Sequence, residues 1–274
     1  MDVNGIKDFD IEEVLECGQC FRFEKIGHKK YIIIAFNKEL VIEQNSGTIT
    51  FFDTTEEDFE KIWVPYFDLN RDYGEIKAIL SSKDPILKEA VEFAGGIRIL
   101  SQDPSETLIS FIISQNNRIP MIKKVIKNIS EKYGSKLNSH YSFPTMTQLQ
   151  NAALGGLMEC KTGFRAKYIL DAANKNLDFE GLKKLSTVDL KHKLMEISGV
   201  GPKVSDCTML FSFNRYEVFP TDVWIKRVMQ YFYFDNKETS IKDIDEFAKQ
   251  KFGNLTGFAQ QYLFHFARIK KIGV

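Results

Sequence analysis

The chain has 274 residues, 43% of them apolar and 23 of them Phe, and its 37 basic residues are balanced by 37 acidic ones. That length calls for two or more lobes around real cores, and the apolar content excludes a disordered chain. Zero net charge weighs against a nucleic-acid partner without excluding one, because a phosphate backbone responds to the local field rather than the sum. No run of about 18 apolar residues occurs, so a membrane span is excluded. Met1-Asp2-Val3-Asn4-Gly5 lacks the basic-then-apolar pattern of a secretory leader, and the expected compartment is the cytoplasm.

Residues up to about 53 read as antiparallel strands. Tyr31–Phe36, Leu40–Glu43 and Thr48–Phe52 are β-branched and aromatic, with turn residues at Asn37-Lys38-Glu39 and Asn45-Ser46-Gly47, and Cys20–Phe23 is expected to be an earlier strand. From residue 54 the period becomes helical. Helices are predicted over Glu56–Trp63, Tyr73–Ser81 and Pro85–Phe93. A clear start follows at Asp103-Pro104-Ser105-Glu106, which supplies an N-cap, a proline at the first position and an acid two further on. Further helices are predicted through Met121–Tyr133, Pro144–Met158 (one or two), Arg165–Leu177, Val188–Ile197, Lys203–Phe213, Val223–Phe232, Ile241–Phe252 and Phe258–Ile269. The fold class is therefore α+β, with an N-terminal antiparallel sheet domain over 1–100 and a larger all-helical body over 101–274.

Four cysteines stand at 17, 20, 160 and 207. Cys17 and Cys20 have CxxC spacing, but no second pair follows and the four histidines are scattered. Four independent thiols are expected, with no metal and no cofactor. The more informative segment is 188–213, where two helices flank Ser198-Gly199-Val200-Gly201-Pro202-Lys203. Glycine suits a sharp turn or a backbone that must approach something closely, and Pro202 suits the first turn of a helix. Free N–H groups at such a helix start can bind phosphate. Taken alone, the Gly-Val-Gly turn favours the plainer reading, an ordinary helical hairpin.

Asp222 changes that balance. It lies 19 residues beyond Lys203, in Phe219-Pro220-Thr221-Asp222-Val223-Trp224, at the start of a helix whose apolar stripe is Ile225, Val228, Met229 and Phe232. An acid there is a cap, and a capping carboxylate can also serve a reaction. Gly199-Val200-Gly201-Pro202-Lys203 followed by Pro220-Thr221-Asp222 resembles the helix-hairpin-helix and aspartate signature of the base-excision DNA glycosylases. With lysine at 203 the resemblance implies a bifunctional glycosylase/lyase. The absence of cysteine beyond Cys207 disfavours the iron–sulfur branch.

Other segments are similar to one branch, the 8-oxoguanine DNA glycosylases, in the order in which that family carries them from residue 17 to 264. Gly18-Gln19-Cys20-Phe21-Arg22 resembles the segment whose glycine carbonyl accepts the N7 hydrogen of the oxidised base. Phe111–Asn117 resembles the segment whose asparagine, here Asn116, fills the gap left by the flipped base. Gly163-Phe164-Arg165 resembles the segment with an aromatic wedge and an arginine on the orphaned base. Gly257–Phe264 resembles the helix that reads and stacks on the lesion through Gln260 and Phe264. Lys203 and Cys207 share a helix face, as do Gln260 and Phe264, and the resemblance makes Gly18, Cys207, Gln260 and Phe264 the base pocket. Clusters at Lys123, Lys124 and Lys127, at Arg165 and Lys167, and at Lys226 and Arg227 would supply backbone affinity if they share the hairpin's face.

The implied reaction is excision of 8-oxoguanine from duplex DNA. Lys203 attacks C1′, a Schiff base forms, β-elimination follows, and Asp222 steadies the positive sugar. The implied enzyme is a monomer in a bacterial or archaeal cell. Three positions depart from the family pattern: Met121 replaces an arginine that reads the opposite cytosine, with Arg118 offset by three residues; Trp224 stands where histidine is common; Phe164 replaces tyrosine. Relaxed selectivity for the opposite base is expected. Two other readings stay open, a glycosylase for another damaged base and a noncatalytic helix-hairpin-helix DNA-binding protein.

Overall fold

A computed structural model describes residues 1–273. Five antiparallel strands, β1 (Asp2–Asn4), β2 (Phe23–Gly27), β3 (Lys30–Ala35), β4 (Lys38–Asn45) and β5 (Thr48–Phe52), lie in the order β1-β5-β4-β3-β2. Alternate residues Tyr31, Ile33 and Ala35, then Leu40 and Ile42, then Ile49 and Phe51, turn to one face and are buried, as the two-residue period of a strand requires. The tight turns fall at Phe36-Asn37 (φ 49° and 60°) and Ser46-Gly47 (φ 48° and 88°). Positive φ at both residues gives the turn whose twist matches paired strands, which moves the first turn one residue ahead of the expected Asn37-Lys38-Glu39. The strand expected at Cys20–Phe23 begins only at Phe23, although the Arg22 carbonyl just before it still accepts the Ile34 N–H of β3 at 3.0 Å.

Beneath the sheet lies a helix, Ile11–Glu16, capped by Asp10, together with Trp63, Tyr66 and Phe67. At six residues it is too short to show periodicity, as is Phe179–Lys183, and neither is evident in the sequence. The helix expected over Glu56–Trp63 is a helical turn at Glu56–Asp58, a wide π turn over Phe59–Trp63 and another helical turn, Val64–Tyr66. Pro65 has no N–H to close a regular α turn there.

A second and larger core belongs to the helices. Tyr73–Lys83 and Pro85–Phe93 bury Tyr73, Leu80, Leu87 and Ala90 in this core, not under the sheet, and Leu100 returns to the sheet core. At the junction Arg98 is buried, and its guanidinium donates to the carbonyls of Lys7, Asp8, Asp68 and Arg71 at 2.6–3.3 Å. The helix Pro104–Ser114 is buried from Thr107 to Ile113 and started as expected by Asp103, which accepts the Glu106 N–H at 2.9 Å. It lies along Pro202–Ser212, with Phe111 stacked on Phe211 at 5.5 Å. Among the described residues no helix is long and apolar enough to cross a membrane.

Candidate active site

Helices Thr187–Met195 and Pro202–Ser212 form the expected hairpin, and its two glycines serve different ends. Gly199 has φ +79°, and a Cβ there would enter the Tyr168 ring. Gly201 has an ordinary backbone, and nothing lies within 4 Å of its missing Cβ. Asp171 fastens the turn by accepting the Ser198 N–H at 2.8 Å. Gly199→Ala is therefore expected to destabilise the fold by about 1–3 kcal/mol, through left-handed strain and the ring clash. Gly201→Ala should leave the melting temperature unchanged, since a Cβ there meets nothing within 4 Å, and the resemblance, which makes 201 a DNA contact, implies weaker duplex binding. Melting curves and binding titrations on both variants check the contrast.

Lys203, the second residue of its helix, extends over the Phe111 ring (Nζ 4.9 Å from the centroid) and donates to Ser114 Oγ at 3.2 Å. The Ser114 hydroxyl gives its own hydrogen to the Phe111 carbonyl at 2.8 Å, so it faces the amine as an acceptor. One helix face carries Lys203, Cys207 and Phe211 into a cavity of about 130 Å³, which Asp222, Gln260, Phe264 and Gly18 also line. Asp222 caps Val223–Tyr233, with Oδ1 accepting the Ile225 N–H at 2.7 Å. Its second oxygen makes no hydrogen bond among the described residues. The cap thus fixes the direction of a carboxylate that keeps one free edge.

Gln260, which lines the same cavity, is only 4% exposed. Its Nε2 donates to the Pro220 carbonyl at 3.2 Å, while its buried Oε1 has no partner. A carbonyl can only accept, so Gln260, which lines the cavity, holds a buried acceptor without a donor. A buried acceptor left unpaired costs about 1–3 kcal/mol, a cost that a ligand N–H would relieve. Cys207 is buried, and desolvation raises its thiol to about 12, with Lys203 opposing that shift. It presents an uncharged wall. Phe264 stands edge-on to Trp224 at 5.0 Å, so Trp224 packs behind the ring. Gly18 has φ +87°, and its missing Cβ would lie 3.0 Å from Phe264 Cε1. The glycine both makes the turn and lets the ring approach. Its neighbour Gln19 is fully buried and bonded to Val14, Arg98, Leu100 and Gln102, which holds the Gly18 turn against the helical body.

Three expected DNA contacts sit together at the rim. Asn116 is exposed with φ +47°, and Phe164 is 52% exposed. Arg165 differs from its expected role on an orphaned base: it is buried, and its guanidinium donates to the carbonyls of Gln115, Asn116 and Thr162. In this state it braces the Asn116 loop. The basic clusters are also less free than expected. Lys123 lies over the Phe23 ring at 3.4 Å and Lys226 pairs with Glu238. Ile269, at the end of the last predicted helix, is exposed.

All four cysteines are free and buried, and Cys17 and Cys20 face different cores. Phe111, Ser114 and Gln261 also line the cavity, although none is singled out as a site residue by sequence; Phe111 and Ser114 share a helix face, which is the available signal. A larger open cleft of about 510 Å³ lies between β2, β3 and the helix Ile119–Tyr133. It contains neither Lys203 nor Asp222. The smaller cavity is the one where the Lys203 amine, the Asp222 carboxylate and the unpaired Gln260 acceptor converge.

A helical hairpin that places a lysine and a capping aspartate in one base-sized cavity defines a DNA glycosylase of the helix-hairpin-helix class. Residues 109–254 match the HhH-GPD superfamily of base excision DNA repair proteins, and residues 3–108 match the 8-oxoguanine DNA glycosylase N-terminal domain. The chain belongs to the 8-oxoguanine DNA glycosylase family within that superfamily. It is similar to the Clostridium acetobutylicum 8-oxoguanine glycosylase/lyase, solved with duplex DNA carrying cytosine opposite 8-oxoguanine. The two are 46% identical with a TM-score of 0.95, over 99% of this chain and 96% of that one. A protein called MBOgg1, solved with a low-affinity DNA ligand, is also 46% identical, with a TM-score of 0.96 over 98% and 96% of the two chains. A probable N-glycosylase/DNA lyase of Methanothermobacter thermautotrophicus is 29% identical over 74% of this chain and 72% of its own length.

Proposed function

We propose that this protein excises 8-oxoguanine from duplex DNA and then cuts the strand, using Lys203 as nucleophile. The observation that carries the substrate assignment is the lone acceptor of Gln260, whose NH₂ is held by Pro220. A guanine-type edge can offer this acceptor two adjacent donors, N1–H and N2–H₂, whereas an adenine-type edge offers only its exocyclic N6–H₂ and sets the N1 lone pair beside it. A base flipped between Cys207 and Phe264 places this edge on Gln260, and the Gly18 carbonyl takes the N7 hydrogen that oxidation adds.

Attack of the neutral Lys203 amine on C1′ breaks the bond to N9, and the base leaves with a proton. Ring opening converts the C1′–Nζ bond to a Schiff base. Loss of a C2′ proton then expels the 3′ phosphate, and water frees the lysine. Asp222, its direction set by the Ile225 N–H, opposes the positive charge that grows on the sugar; a fixed carboxylate away from water is worth several kcal/mol there. Lys203 rests on the Phe111 ring and Ser114, at the mouth of the cavity where C1′ of a flipped nucleotide would lie.

Opposite the lesion the account predicts weak discrimination. Met121 is exposed and has no donor, and Arg165 is occupied by backbone carbonyls, so cytosine meets no free hydrogen-bonding group at these two positions. Single-turnover excision from 8-oxoguanine:C and 8-oxoguanine:A duplexes should differ by less than about fivefold, under 1 kcal/mol. Strict dependence on cytosine would contradict it. The substrate assignment itself is tested by offering one duplex sequence with 8-oxoguanine, 3-methyladenine or an oxidised pyrimidine. Base release from the first alone is expected, and preference for either of the others refutes the assignment. Every group named lies on one chain, so a monomer in the cytoplasm suffices.

A further inference from the structure

We infer that Arg268 is a positioning residue that sets the Gly18 carbonyl and the Phe264 ring relative to one another, and so governs recognition of the oxidised base; this rests on the base-pocket reading above. Arg268 lies one turn beyond Phe264 on the helix Thr256–Lys270. Its guanidinium lies over the Phe264 ring, with Cζ 5.6 Å from the centroid, and donates to the carbonyl of Glu16, the last residue of the helix Ile11–Glu16. It also borders the Gly18 turn directly, since a Cβ at Gly18 would lie 3.4 Å from Arg268 Nη1.

A helix leaves its last carbonyls unpaired, and a cation is the natural partner for them. Here that partner comes from the helix that bears Gln260 and Phe264. Two turns before Arg268, Gln261 Nε2 reaches Cys17 Sγ at 3.2 Å and the Cys17 carbonyl at 3.5 Å. Glu16, Cys17 and Gly18 are thus held in succession by Arg268, Gln261 and the Phe264 ring, all from one helix face. Gly18, at φ +87°, has no side chain of its own to fix its carbonyl, so the direction is set by its neighbours: Gln19 on one side of the turn, and Arg268, Gln261 and Phe264 on the other. Discrimination for a single N7 hydrogen depends on that direction, because a hydrogen bond weakens steeply once misaligned. Arg268 touches no reacting atom. Lys203, Asp222 and the hairpin lie outside its contacts.

The test separates base recognition from chemistry. Arg268→Met keeps most of the aliphatic stem, and Arg268→Lys keeps a donor able to reach Glu16 but loses the flat group over Phe264. Excision from 8-oxoguanine:C and strand cleavage at a preformed abasic site are measured side by side with the full-length chain. Arg268→Met should lower excision about tenfold or more, as one misaligned recognition contact does, and change abasic-site cleavage by less than about twofold. Arg268→Lys should recover part of the loss. Equal losses in both reactions, or none in either, overturn the inference, as does full activity in both variants. A wild-type protein that leaves 8-oxoguanine untouched but cleaves abasic sites refutes the base-pocket reading instead, and the inference falls with it.

Discussion

Lys203→Gln abolishes both base release and strand cleavage, with a fall of at least about 10⁴-fold in single-turnover rate, since the covalent route has no other nucleophile. Glutamine keeps a polar side chain of similar reach, so the cavity stays intact and Ser114 keeps a donor in place of the amine. Duplex affinity should remain within about threefold of wild type, because one lost charge contributes little beside the hairpin and rim. The substitution also discriminates between rival accounts. A noncatalytic hairpin protein would show no cleavage before the change and no difference after it. Retained excision in the variant would mean that water, activated elsewhere, attacks the sugar.

Asp222→Asn should lower excision by about 10²–10³-fold while leaving stability within about 0.5 kcal/mol, because asparagine caps a helix as well as aspartate does. The two tasks of this residue are thereby separated. Its Oδ1 accepts the Ile225 N–H at 2.7 Å, which an amide oxygen can also do. The negative charge facing the sugar has no substitute. Asp222→Ala should show the same catalytic loss and an added destabilisation of about 1 kcal/mol from the missing cap. Single-turnover kinetics with parallel urea titrations measure both quantities. A large stability loss in the asparagine variant, or near-normal excision, would leave Asp222 as architecture only.

Much of this site can be read in the linear chain because its chemistry rests on local signals. Pro202 and Gly199 mark a hairpin, Asp222 sits at a helix start, and the i, i+4 pairs 203/207 and 260/264 place their side chains on common faces. The structure brings all four of those side chains to one cavity with Gly18 and Asp222. The hairpin turns of the sheet were nearly as legible, since Ser46-Gly47 has few conformational options. What escapes is what depends on distant partners. Arg165 looks like a DNA-facing cation until its guanidinium is seen closing on the 115–116 carbonyls. Lys226 looks free until Glu238 lies beside it. Arg268 carries no local signal at all, because its meaning comes from a carbonyl 252 positions away.

The two glycines of the hairpin show the same limit in miniature. Sequence alone offers a sharp turn and a close approach as reasons for glycine, without saying which residue answers to which. Tyr168 beneath Gly199 and open space around Gly201 assign them. Position 199 is demanded by the fold, whereas the fold itself leaves room for a side chain at position 201.

On the proposed mechanism Lys203 becomes covalently joined to the sugar of an 8-oxoguanine nucleotide. Borohydride reduction of the wild-type protein on an 8-oxoguanine:C duplex, followed by peptide mapping of the adduct, tests this step. One trapped species is expected, with the sugar remnant on Lys203 and no trapping on the undamaged duplex. An adduct on another residue, or no adduct while the base is still released, would contradict it.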